Sequence, residues 1–390
     1  MPEAVTTSRP LASTNLYRWV PTAAGVALVL AAGLLAPSHA REAAAQDWPP
    51  FVLVAGLLLV GLVAEEDRLF TAGGQSLARL APNGVLLYVG TVVLVLAVTT
   101  VLNLDTSVTF LTPVLVYAAR SRGEGEAPLL YACLLLSNAG SLLLPGSNLT
   151  NLIVLGHLHL SGGAFFAHMA LPALAAAFVT AVVVGLVHHR ALRATATTPA
   201  HPDRPVLGVG LVAIVIVTGL VVALRAPAIP VAAVGVAAVA WRGVRRGDAS
   251  TRARTAAQTL GLPVLVGLFG LAVALGTLGR SWSGPATLLS HLDAWGTAAV
   301  AAATSVLVNN LPAASLLAAR TPPHPFELLV GLNVGPNLFA TGSLAWVLWL
   351  RAARNAGAHP SVRQASVLGV LSVPLAIAAA VGVLVLSGAG

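Results

Sequence analysis

The 390-residue sequence contains no lysine, one cysteine and two methionines, and only 9% of its residues are charged. Each shortage excludes something. Without lysine no GxxxxGK[ST] phosphate loop can exist, so the chain does not drive its own chemistry with a P-loop ATPase. A single cysteine, Cys133, rules out a disulfide framework or a thiolate zinc cluster within one chain, and its place inside an apolar run reads as a small buried hydrophobe. The scarcity of charge, against roughly 25% in soluble domains, excludes an ordinary water-soluble fold. The net charge of +8 does not point to nucleic acid, because the arginines sit in short loops between apolar runs, where they record orientation in a membrane.

What is present is apolar. Hydrophobic residues make up 57% of the chain, mean hydropathy is +0.87, and apolar runs recur with breaks from end to end. The expected fold class is an all-α polytopic membrane protein.

Residues 1–19 form a polar tail, and the first run, 20–36, ends at Pro37-Ser38-His39-Ala40, which has the small-residue look of a signal-peptidase site. A second span, 50–64, stops at Glu65-Glu66-Asp67-Arg68, and 66–82 has the mixed composition of an interfacial helix. Residues 83–119 carry Asn103-Leu104-Asp105-Thr106-Ser107 between two apolar arms. An acid at the centre of a spanning helix costs at least about 2.5 kcal/mol. A tip buried in protein is cheaper, so this segment is expected to be a re-entrant helical hairpin. The run 128–156 is broken by polar, glycine-rich pieces at 137–141 and 145–151, and 168–187 is a clean span.

The second half repeats this order. Spans at 206–224 and 228–241 lead through a basic loop, 242–254, to a span at 259–279 and an amphipathic piece at 280–295. A hairpin over 296–320 has Asn309-Asn310-Leu311-Pro312 at its tip, a broken helix covers 325–350, and a last span covers 364–387. Within the broken helix, 331–343 contains two amides, two hydroxyls, three glycines and a proline. Unsatisfied peptide groups cost several kcal/mol in lipid, so such backbone belongs inside protein or beside a wet cavity. The chain is thus expected to hold two copies of one unit, 20–205 and 206–390. If the hairpins do not cross, nine spans do, and an N-terminus in the cytoplasm places all arginines there except Arg41, Arg225, Arg280 and Arg320. The copies are then inverted, the C-terminus lies outside, and the breaks converge at the midplane, as in carriers that work by alternating access.

Roles follow from position. Asp105 is the carboxylate well inside an apolar segment, whereas Glu327 lies at a span's edge and the other acids fall in loops, tails or interfacial pieces. It is expected to bind the coupling ion, H+ or Na+, because burial penalises a charged carboxylate; capping the following helix is a compatible role. The solute cage is expected to comprise Asn103, Thr106, Asn138, Ser147, Asn148, Thr150 and Asn151 in the first copy and Asn309, Asn310, Asn333, Asn337, Thr341 and Ser343 in the second. Some of these satisfy freed backbone, and Asn309 and Asn310 can equally cap a hairpin arm. Gly140, Gly146, Gly335 and Gly342 are expected to permit backbone turns. His157, His159 and His168 lack an acidic partner for a metal, and Trp282, Trp295, Trp346 and Trp349 read as interface anchors. The spans hold no His/Glu metal pair and no Ser-His-Asp set, so a carrier is expected rather than a membrane-embedded enzyme. No cofactor is expected.

Asn309-Asn310-Leu311-Pro312 followed by 331–350 resembles the hairpin and broken helix of the arsenical pump membrane protein family, the bacterial arsenite permeases. Asn103-Leu104-Asp105 with Thr112-Pro113, and Ser147-Asn148-Leu149-Thr150-Asn151, are similar to that family's first-copy equivalents. The family belongs to an ion-transporter superfamily that includes sodium-coupled dicarboxylate carriers and sodium/proton antiporters. The resemblance implies a plasma-membrane exporter of arsenite or antimonite driven by proton uptake, a homodimer built through scaffold spans, and a partner ATPase. A cage with amides, hydroxyls, one acid and no arginine also suits a neutral polyhydroxyl solute or a small cation. Sodium/proton antiport is the next alternative. Sodium-coupled carboxylate or other anion transport follows, with sodium ions and half-helix dipoles supplying the positive charge.

Overall fold

The computed structural model describes residues 13–156, 158, 160–193, 208–224 and 226–388. His157, His159 and Arg225 lie outside the described residues. The described chain is all-helical. Two helices open it, α1 (Ser13–Leu35) and α2 (Pro37–Glu66), followed by the short α3 (Leu69–Leu80). The first hairpin is α4 (Gly84–Val101) and α5 (Leu104–Ser121). A broken helix follows as α6 (Ala127–Gly140) and α7 (Leu149–Leu155), and α8 (Gly162–Val187) with α9 (His189–Leu192) ends this half. The second half runs through α10 (Val209–Ala223), α11 (Ala228–Arg246), α12 (Ala249–Leu260), α13 (Leu262–Ser281) and α14 (Gly284–Ser290). Its hairpin is α15 (Ala294–Val308) and α16 (Asn310–Leu317), its broken helix α17 (Pro325–Val334) and α18 (Leu344–Asn355), and α19 (Val362–Ser387) closes the chain.

Six helical segments among the described residues are long and apolar enough to cross a membrane: 37–66, 84–101, 162–187, 228–246, 249–281 and 362–387. Shorter apolar helices at 19–35, 127–140, 209–223 and 294–308 complete the apolar framework. Large apolar side chains such as Leu171, Phe178, Val215, Leu375 and Leu386 point outward, the placement that lipid stabilises. The centre belongs to the broken helices: every residue from Pro128 to Gly140 in α6 and from Phe326 to Val334 in α17 is buried.

Packing follows small residues. Gly25 in α1 meets Gly267 and Gly270 in α13, and Gly56 in α2 meets Ala232 and Gly235 in α11, so these backbones touch as small residues allow in membranes. The helix pairs correspond: α1 packs on α13 as α11 does on α2, α4 on α6 as α15 on α17, and α5 on α18 as α16 on α7. Helices α8 and α19 pack on each other.

Pro37–Ala40 forms the first turn of α2, with Pro37 at the helix start, where its missing N–H is harmless. Several expectations are corrected. The basic segment 242–254 is helical rather than a loop. Asp67, at the end of α2, takes the Gly210 N–H at 2.7 Å and contacts Arg242 of this segment, and Arg252 contacts Glu66 and bonds Asp248 at 2.8 Å. Helix α3 is held to the first hairpin by the buried Arg122, which donates to the Ala78 and Ala81 carbonyls at 2.6 Å and pairs with Glu124 at 3.0 Å. Trp346 and Trp349 are fully buried, donating to the Pro336 and Leu130 carbonyls at 2.9 Å, and are not interface anchors. Trp282 and Trp295 are exposed.

Candidate functional site

Each break has a local cause. In the first, Leu144 is extended before Pro145, as a residue preceding proline prefers, and Asn148 caps α7 by accepting the Thr150 N–H at 3.2 Å. In the second, Gly335-Pro336 ends α17 and a 3-10 turn covers Gly335–Leu338. The freed polar groups meet each other. The Asn333 side-chain oxygen accepts from Ser141 Oγ at 2.7 Å, from Thr150 Oγ1 at 3.3 Å and from the Asn148 amide. Its amide donates to Asn151 Oδ1 at 2.9 Å and to the Leu329 carbonyl at 2.8 Å. Asn138 donates to Asn337 Oδ1 at 2.9 Å, and Asn337 donates to the Leu135 carbonyl at 2.9 Å. Asn151 turns its amide to the carbonyls of Ser141 at 2.7 Å and Leu144 at 3.1 Å, satisfying backbone that the break released. The two broken helices therefore cross through one amide network.

The first hairpin's tip adjoins this network. Ser147 Oγ donates to the Thr100 carbonyl at 3.0 Å, and Ser137 Oγ donates to Ser107 Oγ at 3.2 Å. At its other end α4 packs Gly84 on the Leu192 carbonyl. Asn103 is extended and caps α5 through the Thr106 N–H at 2.6 Å. Asp105 sits in the first turn of α5, where the helix dipole favours an anion, and lines a cavity of about 430 Å³ with Thr109, Phe110, Leu344 and Arg351. The polar atoms left without partners around this tip are Asn103 Nδ2, Thr106 Oγ1 and Asn138 Oδ1, all on fully or nearly fully buried residues. Ser343 Oγ, at the start of α18, is also unpartnered, and the neighbouring Leu344 lines the Asp105 cavity.

The second tip is built differently. Asn309 has φ +75°, and its amide donates to the Thr341 carbonyl at 3.3 Å while the Asn310 N–H donates to the Gly342 carbonyl at 2.8 Å. Asn309 Oδ1 accepts the Leu311 N–H at 3.4 Å, so Asn309 caps α16, and Thr341 Oγ1 donates to the Val306 carbonyl at 2.8 Å. Asn309 and Thr341 thus spend their side chains on backbone.

The thirteen candidate cage residues fall into three groups: a satisfied junction (Ser147, Asn148, Thr150, Asn151, Asn333, Asn337), an unspent set (Asn103, Thr106, Asn138, Ser343) and the second tip (Asn309, Asn310, Thr341). Gly140, Gly146, Gly335 and Gly342 do not provide unusual backbone, since none has positive φ. They provide room: a Cβ on Gly335 would strike Ala302, and one on Gly342 would strike Pro336. His168 stacks on Phe326 with ring centroids 5.1 Å apart. Asp105 is not the sole acid within the helical body. Asp47 in α2, 1% exposed, accepts from Ser315 Oγ at 3.4 Å, and Glu327 in α17 is 0% exposed. The sequence left Asp47 among the acids of loops, tails and interfacial pieces; it put Glu327 at a span's edge, where it does lie, in the first turn of α17, but its full burial was not legible.

A second cavity, of about 930 Å³, is lined by Gln46, Leu53, Pro145, Leu152, Leu155, Arg280 and Arg320. It follows the first half of α2, whereas the Asp105 cavity touches Val54 and Leu58 further along the same helix. Arg280 lies beside Glu42 at 3.5 Å and contacts Gln46.

The fold has a solved counterpart in the Alcanivorax borkumensis YdaH transporter, described as having an unusual topology. The TM-score is 0.52 at 17% identity, and the alignment covers 98% of this chain and 94% of that one. No curated protein matches the chain. Over residues 10–350 the sequence matches the family model described as citrate transporter, and the chain belongs to that family, CitMHS.

Proposed function

We propose that the chain is a secondary active carrier of a small carboxylate that works by alternating access, with a proton or a sodium ion as coupling ion. The observation that carries this reading is the first hairpin tip, where Asp105 and the unspent polar atoms of Asn103 and Thr106 adjoin a crossing of two broken helices, with Asp105 facing a cavity. The corresponding helix pairs support two inverted copies, 20–205 and 206–390. The arginine distribution supports a scheme with the Asp105 cavity on the cytoplasmic side of a plasma membrane and the larger cavity outside.

The solute class rests on the family's description and on charge. No arginine donates to the junction, so a carboxylate is accommodated by helix N-termini and a co-bound cation. The same lack of guanidinium favours a second reading, proton-driven efflux of arsenite or antimonite, whose neutral hydroxyls suit amide partners. Uptake of labelled citrate into cells lacking their own carriers, beside growth of an efflux-deficient strain on arsenite, separates the two. Citrate accumulation without resistance supports the first, and resistance without citrate uptake supports the second. Improved salt or alkali tolerance alone supports sodium/proton antiport and defeats both.

A further inference from the structure

Glu327, in the first turn of α17, takes no part in the junction. It is 0% exposed, and neither carboxylate oxygen has a hydrogen-bond partner. A buried, unpaired carboxylate is among the costliest states a side chain can adopt, so this position requires a positive occupant at some stage.

The register identifies its surroundings. Helices α15 and α17 run side by side in the same direction, since Gly331 packs on Ala298 and Ala301 while Gly335 packs on Ala302 and Ser305. Glu327 lies four residues before Gly331 and so on the same face. The same step back along α15 reaches Ala294 and Thr297. Thr297 is 0% exposed and its Oγ1 is also unpartnered. His324, just before α17, has a buried Nδ1 with no partner. Three unspent polar groups thus gather at one end of the α15–α17 pair, about 12 Å from the Gly335 break at 1.5 Å per residue.

We propose that Glu327 is a second proton-carrying carboxylate of the transport cycle, separate from Asp105, and that the Thr297 hydroxyl, not bonded to it in this conformation, engages it during the cycle. This rests on the carrier reading above. A threonine hydroxyl donates to a carboxylate and accepts from a carboxylic acid, so the Thr297 hydroxyl can serve either state once the two side chains meet. The proton enters from water at the loop 319–324, adds to one carboxylate oxygen and is returned to water on release, with no other bond changed. An alkali ion would need a shell of several oxygens, whereas Glu327 and Thr297 supply the carboxylate and one hydroxyl. The ionisable side chains on the described elements packed against α17 are few: Tyr131 and Cys133 in α6, His168 in α8 and Arg363 in α19, with none in α7, α15 or α16. At this end His324 precedes α17, and Asp293 caps α15 through the Gly296 N–H at 2.8 Å.

The test is infrared difference spectroscopy of the purified full chain across pH, in sodium chloride and in choline chloride, for wild type, Glu327→Gln, Asp105→Asn and Thr297→Val. The expected result is a pH-dependent carboxylic C=O band that is absent from Glu327→Gln, kept in Asp105→Asn and shifted in Thr297→Val. A band at Glu327 indifferent to pH marks a permanently neutral structural acid and overturns the proposal. A band removed by sodium but not by choline also overturns it, in favour of an alkali-ion site. In proteoliposomes Glu327→Gln should move one proton fewer per solute, and an unchanged ratio contradicts the proposal. Wild-type liposomes without coupled flux would defeat the carrier reading, while the spectra still decide the site.

Discussion

Asp105 and Asn333 carry different burdens although both lie at breaks. Asp105 faces a cavity, with no hydrogen-bonded cation to compensate it, so its charge is available to a mobile ion. Asp105→Asn should insert and fold normally yet lose coupling, measured as gradient-driven accumulation beside monodispersity in size-exclusion chromatography. Asn333 is committed instead to five neighbours. Asn333→Leu strands several buried partners and should lower unfolding free energy by about 1–3 kcal/mol. Chemical denaturation in detergent reads this as a lower midpoint. Asn309 is the third case. Its φ of +75° with ψ 149° lies where a β-branched side chain is strained by about 1–3 kcal/mol, so Asn309→Val should be destabilised by that amount and Asn309→Gly much less, by the same measurement.

At the scale of elements, the glycines at the helix breaks act through contact distance. A Cβ on Gly335 would fall on the Ala302 backbone, whereas one on Gly163 meets nothing. Gly335→Val should therefore force α15 from α17 and cost about 1–3 kcal/mol or more, while Gly163→Ala should be neutral or slightly stabilising. Thermal unfolding of the two variants checks the contrast. These elements also show what the sequence made legible. Both hairpins and both broken helices were readable because polar, glycine-rich interruptions in an apolar chain have few physical explanations. The division of the asparagines into satisfied and unspent was not readable, since it depends on which break faces which. Asp47 escaped notice because Pro49 and Pro50 suggest a loop, yet α2 continues through both. The burial of Trp346 and Trp349 escaped too: a tryptophan at an interface and one bonded to a carbonyl freed by a break look alike in sequence.

For the whole molecule, the proposed inverted arrangement predicts that the two cavities open to opposite sides. The chain suits a direct check, because its one cysteine, Cys133, is fully buried in α6. Leu155→Cys lines the larger cavity and Ala352→Cys the smaller. An impermeant thiol reagent should label Leu155→Cys from outside intact cells and Ala352→Cys only after it reaches the cytoplasmic face. The central claim remains that the charge of Asp105 at the first hairpin tip is required to couple an ion gradient to the solute. It is tested most directly by citrate flux in proteoliposomes carrying wild type or Asp105→Asn, with an imposed proton or sodium gradient and, separately, with solute exchange and no gradient. The account predicts that wild type concentrates solute under one of the gradients, while Asp105→Asn retains exchange and accumulates none. Gradient-driven accumulation by Asp105→Asn at the wild-type level would contradict it.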